Sequence, residues 1–433
     1  MELSVFSLIL VAVLFALLFT GLWVAFSLMA TALIALYFFS DPSTMGLVMA
    51  TTAWGESAKW TVTSLPLFIW MGEILFRTRL AEDMFAGLAP WLARIPGRLL
   101  HVNIIGCGIF AAVSGSSTAT CATIGKISLP ELDKRGYPNN LSIGTLAASG
   151  TLGLMIPPSI IMIVYGGAAD VSIAKLFIAG VIPGLLLMAL FSSYVIGYAL
   201  LRPREIPAEE GARVSFVKAL LAGRRMIPIM LLIAFVIGSI YAGIATPTEA
   251  AALGVFGAFV LSYSFGTLTW DSFMESLKGA TATSCMIAFI MSGAAFLSIA
   301  MGFAGIPAAM AKVLTAMNLS PYGFLFGLTV IFIILGCFLD GVSIVLLTAA
   351  VILPSVKAFG FDLVWFGIYL VVVVEIAMIT PPVGFNLFVI QDLTSKELFS
   401  IARSAAPFLF LLVIGIVLMT IFPELVTYLP SHV

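Results

Sequence analysis

The chain has 433 residues, of which 61% are hydrophobic and only 9% charged, and its formal net charge is −1. Soluble proteins carry about 25% charged residues, so the composition excludes a soluble globular protein and indicates an integral membrane protein. The balanced charge gives no sign of a nucleic-acid partner. The cysteines and histidines show no metal-ligand spacing, so we expect buried apolar cysteines and no transition-metal site. These residues are Cys107, Cys121, Cys285, Cys337, His101 and His432.

Apolar runs close to the roughly 20 residues that a spanning helix needs recur along the chain. The N-terminus has no basic region before the first run, which predicts a retained span and not a cleaved signal peptide. The first half, 1–201, is predicted to contain scaffold spans at 1–80, an interfacial arm at 80–95, a hairpin at 99–132, an interrupted helix at 138–169 and a connecting span at 174–201.

A polar segment at 202–225 separates the two halves. Its six lysine and arginine residues predict a cytoplasmic loop by the positive-inside rule. The second half, 226–433, is predicted to contain scaffold spans at 226–266, an interfacial arm at 270–278, a span at 280–304, a hairpin at 321–357, an interrupted helix at 362–391 and a last span at 405–422.

Each predicted hairpin is broken in its middle by glycine and hydroxyl residues. The breaks are Ser-Gly-Ser-Ser-Thr at 114–118 and Asp-Gly-Val-Ser at 340–343. A single tilted helix would hold such a polar cluster against lipid. We therefore expect each segment to enter the membrane, turn at mid-depth and return, as a re-entrant hairpin does.

Each interrupted helix contains a Pro-Pro pair among small and hydroxyl residues, at 157–158 and at 381–382. Proline removes an amide donor and blocks a helical hydrogen bond. In hydrocarbon such a break is tolerated only where it is buried in protein or lines a wet cavity. Two matched breaks predict a pair of binding elements, which is the pattern of a secondary transporter.

The two halves are related by an offset of 224 residues, which carries Pro157 onto Pro381 and Ser116 onto Asp340. Agreement of both the breaks and the hairpin tips predicts an internal duplication. The base of the first hairpin is more basic than that of the second. We therefore expect the hairpins to open to opposite sides of the membrane, so that the halves are inverted repeats.

The two hairpin tips and the two Pro-Pro breaks have the chemistry of a site for a cation and an anion. Unwound backbone exposes carbonyls and hydroxyl residues add oxygens, which together suit a hard cation such as sodium. The N-termini of half-helices carry partial positive charge that can face an anion. The alternative interpretation is that small residues only permit close helix packing. The candidates are Ser114, Gly115, Ser116, Ser117, Thr118, Ser149, Gly150, Thr151, Gly336, Asp340, Gly341, Ser343, Thr380, Pro381, Pro382, Gly384 and Asn386.

A carboxylate within an apolar segment needs a paired group or a functional role, because its insertion near a helix centre costs about 2.5–3.5 kcal/mol. Asp340 lies at a predicted hairpin tip, where a bound cation would offset that cost. Glu375 precedes the second Pro-Pro pair and could bind an ion, take a proton or hold unwound backbone. Glu73 is expected to pair with Arg77 one helical turn later, and Glu249 to cap a helix.

Six segments resemble the large membrane subunit of the tripartite ATP-independent periplasmic (TRAP) transporters, in order and at fixed spacing. They are Gly-Cys-Gly-Ile-Phe-Ala-Ala-Val-Ser-Gly-Ser-Ser-Thr-Ala-Thr (106–120), Gly-Thr-Leu-Gly-Leu-Met-Ile-Pro-Pro-Ser-Ile (150–160), Lys-Leu-Phe-Ile-Ala-Gly-Val-Ile-Pro-Gly (175–184), Thr-Pro-Thr-Glu-Ala-Ala-Ala (246–252), Phe-Leu-Asp (338–340) and Ile-Thr-Pro-Pro-Val-Gly-Phe-Asn-Leu-Phe (379–388).

This resemblance implies an all-α polytopic membrane protein with an elevator-type fold, in which a scaffold carries a mobile transport domain. It implies sodium-coupled import of an organic acid anion, such as a dicarboxylate or a sialic acid, across a bacterial inner membrane. The implied partners are membrane lipid, a small four-helix membrane subunit on a separate chain and a periplasmic substrate-binding protein. Sodium is the coupling ion and no other cofactor is implied.

The resemblance also assigns roles to the candidates, with the substrate between the two tips. The sodium ligands it implies are Ser114, Gly115, Ser116, Ser117, Ser149, Gly150, Thr151, Pro157, Gly336, Asp340, Gly341, Ser343, Thr380, Pro381 and Val383. The substrate contacts are Ser116, Ser117, Thr118, Pro158, Ser159, Gly384 and Asn386.

Two other kinds of transport stay open at this point. A proton could replace sodium, with Asp340 or Glu375 as the coupling carboxylate. An ion channel would also use re-entrant loops, but it usually builds its pore from several subunits and gives no reason for inverted repeats. An enzyme is not expected, because no nucleophile, metal or acid–base set is visible in the sequence.

Overall fold

A computed structural model of the protein describes residues 3–207, 216–306, 309, 319–336, 339–382 and 384–432. In this part of the chain every regular element is a helix, so the all-α prediction is confirmed. Predictions made for Val383, Cys337 and positions 208–215 of the loop lie outside the described residues.

The helices before the polar loop begin with α1 and end with α10. They are α1 (Leu3–Phe19), α2 (Val24–Tyr37), α3 (Pro42–Ser57), α4 (Ser64–Phe76), α5 (Leu80–Leu92), α6 (Leu100–Ser114), α7 (Ser117–Lys134), α8 (Asn139–Met155), α9 (Ile160–Ala169) and α10 (Ile173–Leu201).

The helices after it are numbered α11 to α20. They are α11 (Phe216–Gly223), α12 (Ile227–Tyr241), α13 (Pro247–Ser264), α14 (Trp270–Phe303), α15 (Pro321–Gly336), α16 (Gly341–Ala358), α17 (Leu363–Met378), α18 (Phe385–Thr394), α19 (Leu398–Ile421) and α20 (Glu424–Thr427).

Several described helices have the length and composition of membrane spans. Four qualify alone, and two bent pairs raise the number to six when each pair is counted as one span. One of these pairs is α8 with α9, which meet at the first Pro-Pro pair with a bend of 40°. The four are Ile173–Leu201, Ala219–Tyr241, Trp270–Phe303 and Leu398–Ile421.

Helices of the predicted scaffold spans pack around α14, which contacts α2, α3 and α4, while α4 also packs against α13. Their charged residues behave as predicted: Glu73 forms an ion pair with Arg77, and Glu249 completes a capping box with Thr246 at the start of α13. These two carboxylates therefore stabilise local helical structure.

The segments predicted as hairpins and interrupted helices pack on one another. α6 and α7 lie on α8, and α15 and α16 lie on α17. The halves also exchange contacts, because α7 packs against α18 and α16 packs against α9. The offset of 224 residues recurs in the helix bounds: it carries α7 onto α16 from end to end and the start of α8 onto the start of α17.

Two sequence expectations differ from the structure. The arm at 270–278 and the span at 280–304 form one unbroken helix, α14, because the junction at Gly279 contains no proline and an internal glycine costs only about 1 kcal/mol. Cys285 is exposed on that helix, whereas Cys107 and Cys121 are buried as expected. An apolar run predicts a span but does not reveal which of its faces is covered.

Candidate functional site

The tip of the first hairpin is a turn rich in hydroxyl groups. α6 ends where Gly115 adopts a left-handed backbone (φ +59°), which glycine takes without steric cost. Ser116 begins α7 as its N-cap and accepts a hydrogen bond from the amide of Ala119 at 3.5 Å. The hydroxyls of Ser114 and Thr120 lie 2.7 Å apart, and Thr120 also donates to the Ser116 carbonyl at 2.7 Å. The turn therefore gathers several neutral oxygens.

This tip touches the first Pro-Pro break through backbone. The amide of Ile160, just after the break, donates to the Gly115 carbonyl at 3.3 Å. A Cβ atom at Gly115 would lie 2.8 Å from the carbonyl oxygen of Pro158. A Cβ atom at Gly153, one turn before the break, would overlap the carbonyl oxygen of Ser116. Glycine at both positions permits this close approach.

Two side chains join the first tip to the second interrupted helix. The Ser117 hydroxyl donates to the side-chain carbonyl of Asn386 at 2.9 Å, across 269 residues of sequence. The Asn386 amide donates to the backbone carbonyl of Ala147 in α8 at 3.2 Å, and a Cβ atom at Gly150 would lie 3.1 Å from that amide nitrogen. Asn386 is fully buried, so these bonds satisfy a polar group whose isolation would be costly.

The second tip has a carboxylate where the first has a serine. Asp340 is the N-cap of α16, and one of its oxygens accepts hydrogen bonds from the amides of Val342 at 3.0 Å and Ser343 at 3.3 Å. The other oxygen accepts a hydrogen bond from the Ser343 hydroxyl. Within the described residues, all hydrogen bonds to this carboxylate come from its own helical turn. Asp340 therefore stabilises the start of α16 whether or not a cation is present.

The second tip packs against both halves of the protein. A Cβ atom at Gly336 would overlap the Cβ atom of Ala377 in α17. A Cβ atom at Gly341 would lie 2.6 Å from Ile161 in α9 and 2.7 Å from Val374 in α17. The second tip thus contacts the helix before the second break and the helix after the first.

The second break is hydrogen-bonded to the helical turn that precedes it, and its prolines are more exposed than those of the first. The Thr380 hydroxyl donates to the Ile376 carbonyl at 2.6 Å, and a Cβ atom at Gly384 would lie 3.1 Å from the Thr380 amide. The first Pro-Pro pair is buried, whereas Pro381 is half-buried and Pro382 is exposed. Both Pro-Pro peptide bonds are cis.

Four helix N-termini meet in this cluster, those of α7, α9, α16 and α18. Ser116, Ser159 and Asp340 cap the first three through their side chains. Gly384 begins α18 and offers no side chain for that purpose. Of the four, the N-terminus of α18 is therefore the one whose amide donors and partial positive charge face no capping side chain.

Two fully buried side chains of the interrupted helices have no hydrogen-bond partner among the residues that the structure describes. They are the hydroxyl of Ser149 in α8 and the carboxyl group of Glu375 in α17. Thr151 lies beside Glu375, but its hydroxyl donates to the Ala148 carbonyl at 2.7 Å. Buried polar groups are almost always paired, so these atoms are available to a bound ion or a proton.

Those predicted residues that the structure describes thus come together as one cluster of two tips and two breaks, while their roles as ligands stay predictions. Thr118 belongs to the first tip, its hydroxyl 3.3 Å from that of Ser116. No hydrogen bond between described residues joins Asp340 to Thr380. Thr120 was missed, although its position one helical turn after Ser116 was a signal that could have found it.

A crevice of about 600 Å³ lies between the predicted scaffold and two helices that begin in this cluster, α9 and α16. Residues of α3 and α14 form one wall, and residues of α9 and α16 form the other. The ion pair of Glu56 with Lys59, at 2.6 Å, lies on the scaffold wall. In the described part of the chain no group of three or more His, Cys, Asp or Glu residues is placed to hold a metal ion.

Residues 11–425 match the family model described as the tripartite ATP-independent periplasmic transporter, DctM component. The chain belongs to this family. It is 34% identical over 406 residues to the C4-dicarboxylate TRAP transporter large permease protein DctM of Pseudomonas aeruginosa, with 94% of each chain covered. It is 31% identical over 372 residues to the ectoine TRAP transporter large permease protein TeaC of Halomonas elongata, covering 85% of this chain and 86% of that one.

A solved structure supports the fold. The chain is similar to the YdaH transporter of Alcanivorax borkumensis with a TM-score of 0.60, covering 89% of this chain and 90% of that one at 13% identity. The family and the apolar helices together establish a multi-pass membrane protein that serves as the large permease of a three-part transport system. Its relatives are transporter permeases and not enzymes.

Proposed function

We propose that this TRAP large permease imports an organic anion by sodium-coupled secondary transport across the bacterial inner membrane. The observation that carries the proposal is the single cluster formed by both hairpin tips and both Pro-Pro breaks. Such a cluster offers backbone carbonyls, hydroxyls and helix N-termini around one region, which suits a cation and an anion together.

Each tip supplies one sodium site in this proposal. The first uses Ser114–Ser117 with Ser149–Pro158, where neutral oxygens predominate. The second uses Gly336–Ser343 with Thr380–Val383, where the carboxylate of Asp340 balances the charge of the ion. Asp340 then has two roles, since it also caps α16.

The anion is placed between the tips, close to the N-terminus of α18. Two features support this position: Gly384 provides no side-chain cap, and Asn386 in the first turn of α18 is hydrogen-bonded to Ser117 of the first tip. The named solutes of the two relatives are a C4-dicarboxylate, which is an anion, and ectoine, which is a zwitterion, and what the two share is a carboxylate group. We therefore propose a carboxylated solute.

Transport would proceed by an elevator motion of the cluster against the scaffold. The crevice between α3 with α14 and α9 with α16 supports this, because it lies between the two groups of helices that would move against each other. A small membrane subunit and a periplasmic substrate-binding protein would complete the tripartite system named by the family.

The test is uptake into proteoliposomes that contain the full tripartite system. We expect uptake of a labelled carboxylated solute that saturates, requires an inward sodium gradient and stops when the gradient is collapsed. Solute movement that continues unchanged without sodium would overturn sodium coupling. Current without a transported solute would instead indicate a channel.

Proton coupling is a second candidate, and one observation favours it. Glu375 is fully buried and has no hydrogen-bond partner in the described part of the chain, and an ionised carboxylate in such a place is costly unless it is paired. A proton would satisfy it. If a pH gradient alone drives uptake and Glu375→Gln abolishes only that component, the proton replaces sodium as the coupling ion. If Glu375→Gln leaves sodium-driven uptake intact, Glu375 is a neutral structural group.

A further inference from the structure

A polar pocket of about 440 Å³ lies away from the cluster, where two membrane spans end. It is bordered by the last turns of α10, the first turns of α19 and the first turn of α8. Since α10 and α19 are long and apolar enough to cross a bilayer, their ends lie at the membrane surface. The basic segment that follows α10 begins beside this pocket.

Arg403 supplies the charge of the pocket. It is exposed, and it forms no ion pair with any residue that the structure describes. Asn140, Ser400 and Ser404 lie around it and add amide and hydroxyl groups. Arginine binds phosphate through two parallel hydrogen bonds, so an arginine without a carboxylate partner among polar groups is a suitable anion site.

The walls of the pocket suit an amphiphilic ligand. Two tyrosines line it, and interfacial tyrosine is typical of the level of lipid headgroups. The ring of Tyr194 packs edge-on against Phe408 with centroids 4.9 Å apart. Tyr198 is held in place by the guanidinium of Arg202, 5.3 Å from its ring, and by a hydrogen bond to Glu205. Phe408 and Leu141 are buried and give the pocket an apolar floor.

We propose that this pocket binds the phosphate group of an anionic phospholipid, with Arg403 as its main ligand. A free phosphate would use the rim alone, whereas a phospholipid uses the charged rim, the tyrosines and the apolar floor together. Basic pockets between spans at the cytoplasmic surface are suited to such headgroups. The lipid would contact the first turn of α8, and would thereby link the first interrupted helix to α10 and α19.

Thermal unfolding of the purified full-length chain in detergent tests this without relying on transport. Phosphatidylglycerol should raise the Tm of the wild type by about 3 °C or more, because a ligand that binds only the folded state stabilises it. Zwitterionic phosphatidylethanolamine should raise it less. Arg403→Gln should lose most of the difference between the two lipids, and Arg403→Lys should keep part of it.

The matched control is Arg135→Gln, which changes an exposed arginine already paired with Glu131 and should leave the response to phosphatidylglycerol unchanged. The proposal is overturned if Arg403→Gln responds like the wild type, or if the wild type does not distinguish the two lipids. An equal rise of Tm with inorganic phosphate would also overturn it, since the ligand would then be free phosphate.

Discussion

The two hairpin tips share a backbone plan and differ in charge. Ser116 and Asp340 stand at equivalent positions and each begins the second helix of its hairpin. The first tip offers only neutral hydroxyls and carbonyls, whereas the second offers a carboxylate. A cation at the second tip would be neutralised by protein, while a cation at the first tip would need the anionic solute to balance it. In this account solute binding depends on sodium, because the solute balances the charge of the cation at the first tip.

The breaks differ in a related way. The first Pro-Pro pair is buried under the first tip, and the second is partly exposed. The N-terminus that follows the first break is capped by Ser159, whereas the one that follows the second begins at Gly384. The neutral tip therefore lies beside the Pro-Pro pair that is buried, and the charged tip belongs to the same hairpin repeat as the Pro-Pro pair that is partly exposed.

The largest effect is expected from locking the second hairpin to the scaffold. If both tips belong to one moving unit, arresting one arrests the other. In a chain without its native cysteines, Ala295→Cys in α14 and Ala349→Cys in α16 face the same crevice from opposite walls. Crosslinking them with a bifunctional thiol reagent should abolish uptake.

The control pair is Thr52→Cys with Ala294→Cys, both on the scaffold wall of that crevice. Crosslinking this pair should leave uptake nearly unchanged. Equal inhibition by both crosslinks, or by neither, would contradict a second hairpin that moves against the scaffold.

A smaller but still large loss is expected at the first tip from Gly115→Ala. The left-handed backbone disfavours alanine by about 1 kcal/mol, and the new Cβ atom would crowd the Pro158 carbonyl. We expect uptake to fall more than tenfold with normal membrane insertion. Gly197→Ala, where no atom lies within 4 Å of the added carbon, should be silent. Full activity of Gly115→Ala would show that tip and break do not need this contact.

The smallest effect on uptake is expected from removing the hydrogen bond between Ser117 and Asn386, which joins the two halves of the chain. Ser117→Ala and Asn386→Ala each remove the hydrogen bond that joins the first tip to α18, which is worth about 1 kcal/mol. Each should raise the solute KM severalfold, and the double variant should be no worse than the more severe single one. Additive losses in the double variant would mean that the two side chains act independently.

The sequence predicted the features that depend on neighbouring residues. Proline pairs, the Glu73–Arg77 pair and the cap at Glu249 are local, and the structure contains them where they were expected. The bond of Ser117 to Asn386 could not be predicted, because it joins positions far apart in sequence and depends on tertiary packing.

Gly279 is a second residue whose role depends on tertiary packing and could not be predicted from its neighbours in sequence. The sequence predicts a boundary between an arm and a span at this residue, but a Cβ atom there would lie 2.7 Å from a carboxylate oxygen of Glu73 in α4. The glycine permits close packing between α14 and α4 and does not end the helix. Sequence shows that a small residue is present, and only the fold shows whether it is there for a turn or for a neighbour.

The most direct test of the central claim is a sodium titration of solute uptake in proteoliposomes, with Asp340→Asn compared to Ser116→Ala. Asparagine still caps a helix but carries no charge, so Asp340→Asn should raise the half-saturating sodium concentration at least about tenfold, equivalent to about 1.4 kcal/mol. Ser116→Ala, which removes a neutral oxygen, should raise it less. Sodium activation unchanged from the wild type in both variants would contradict the account.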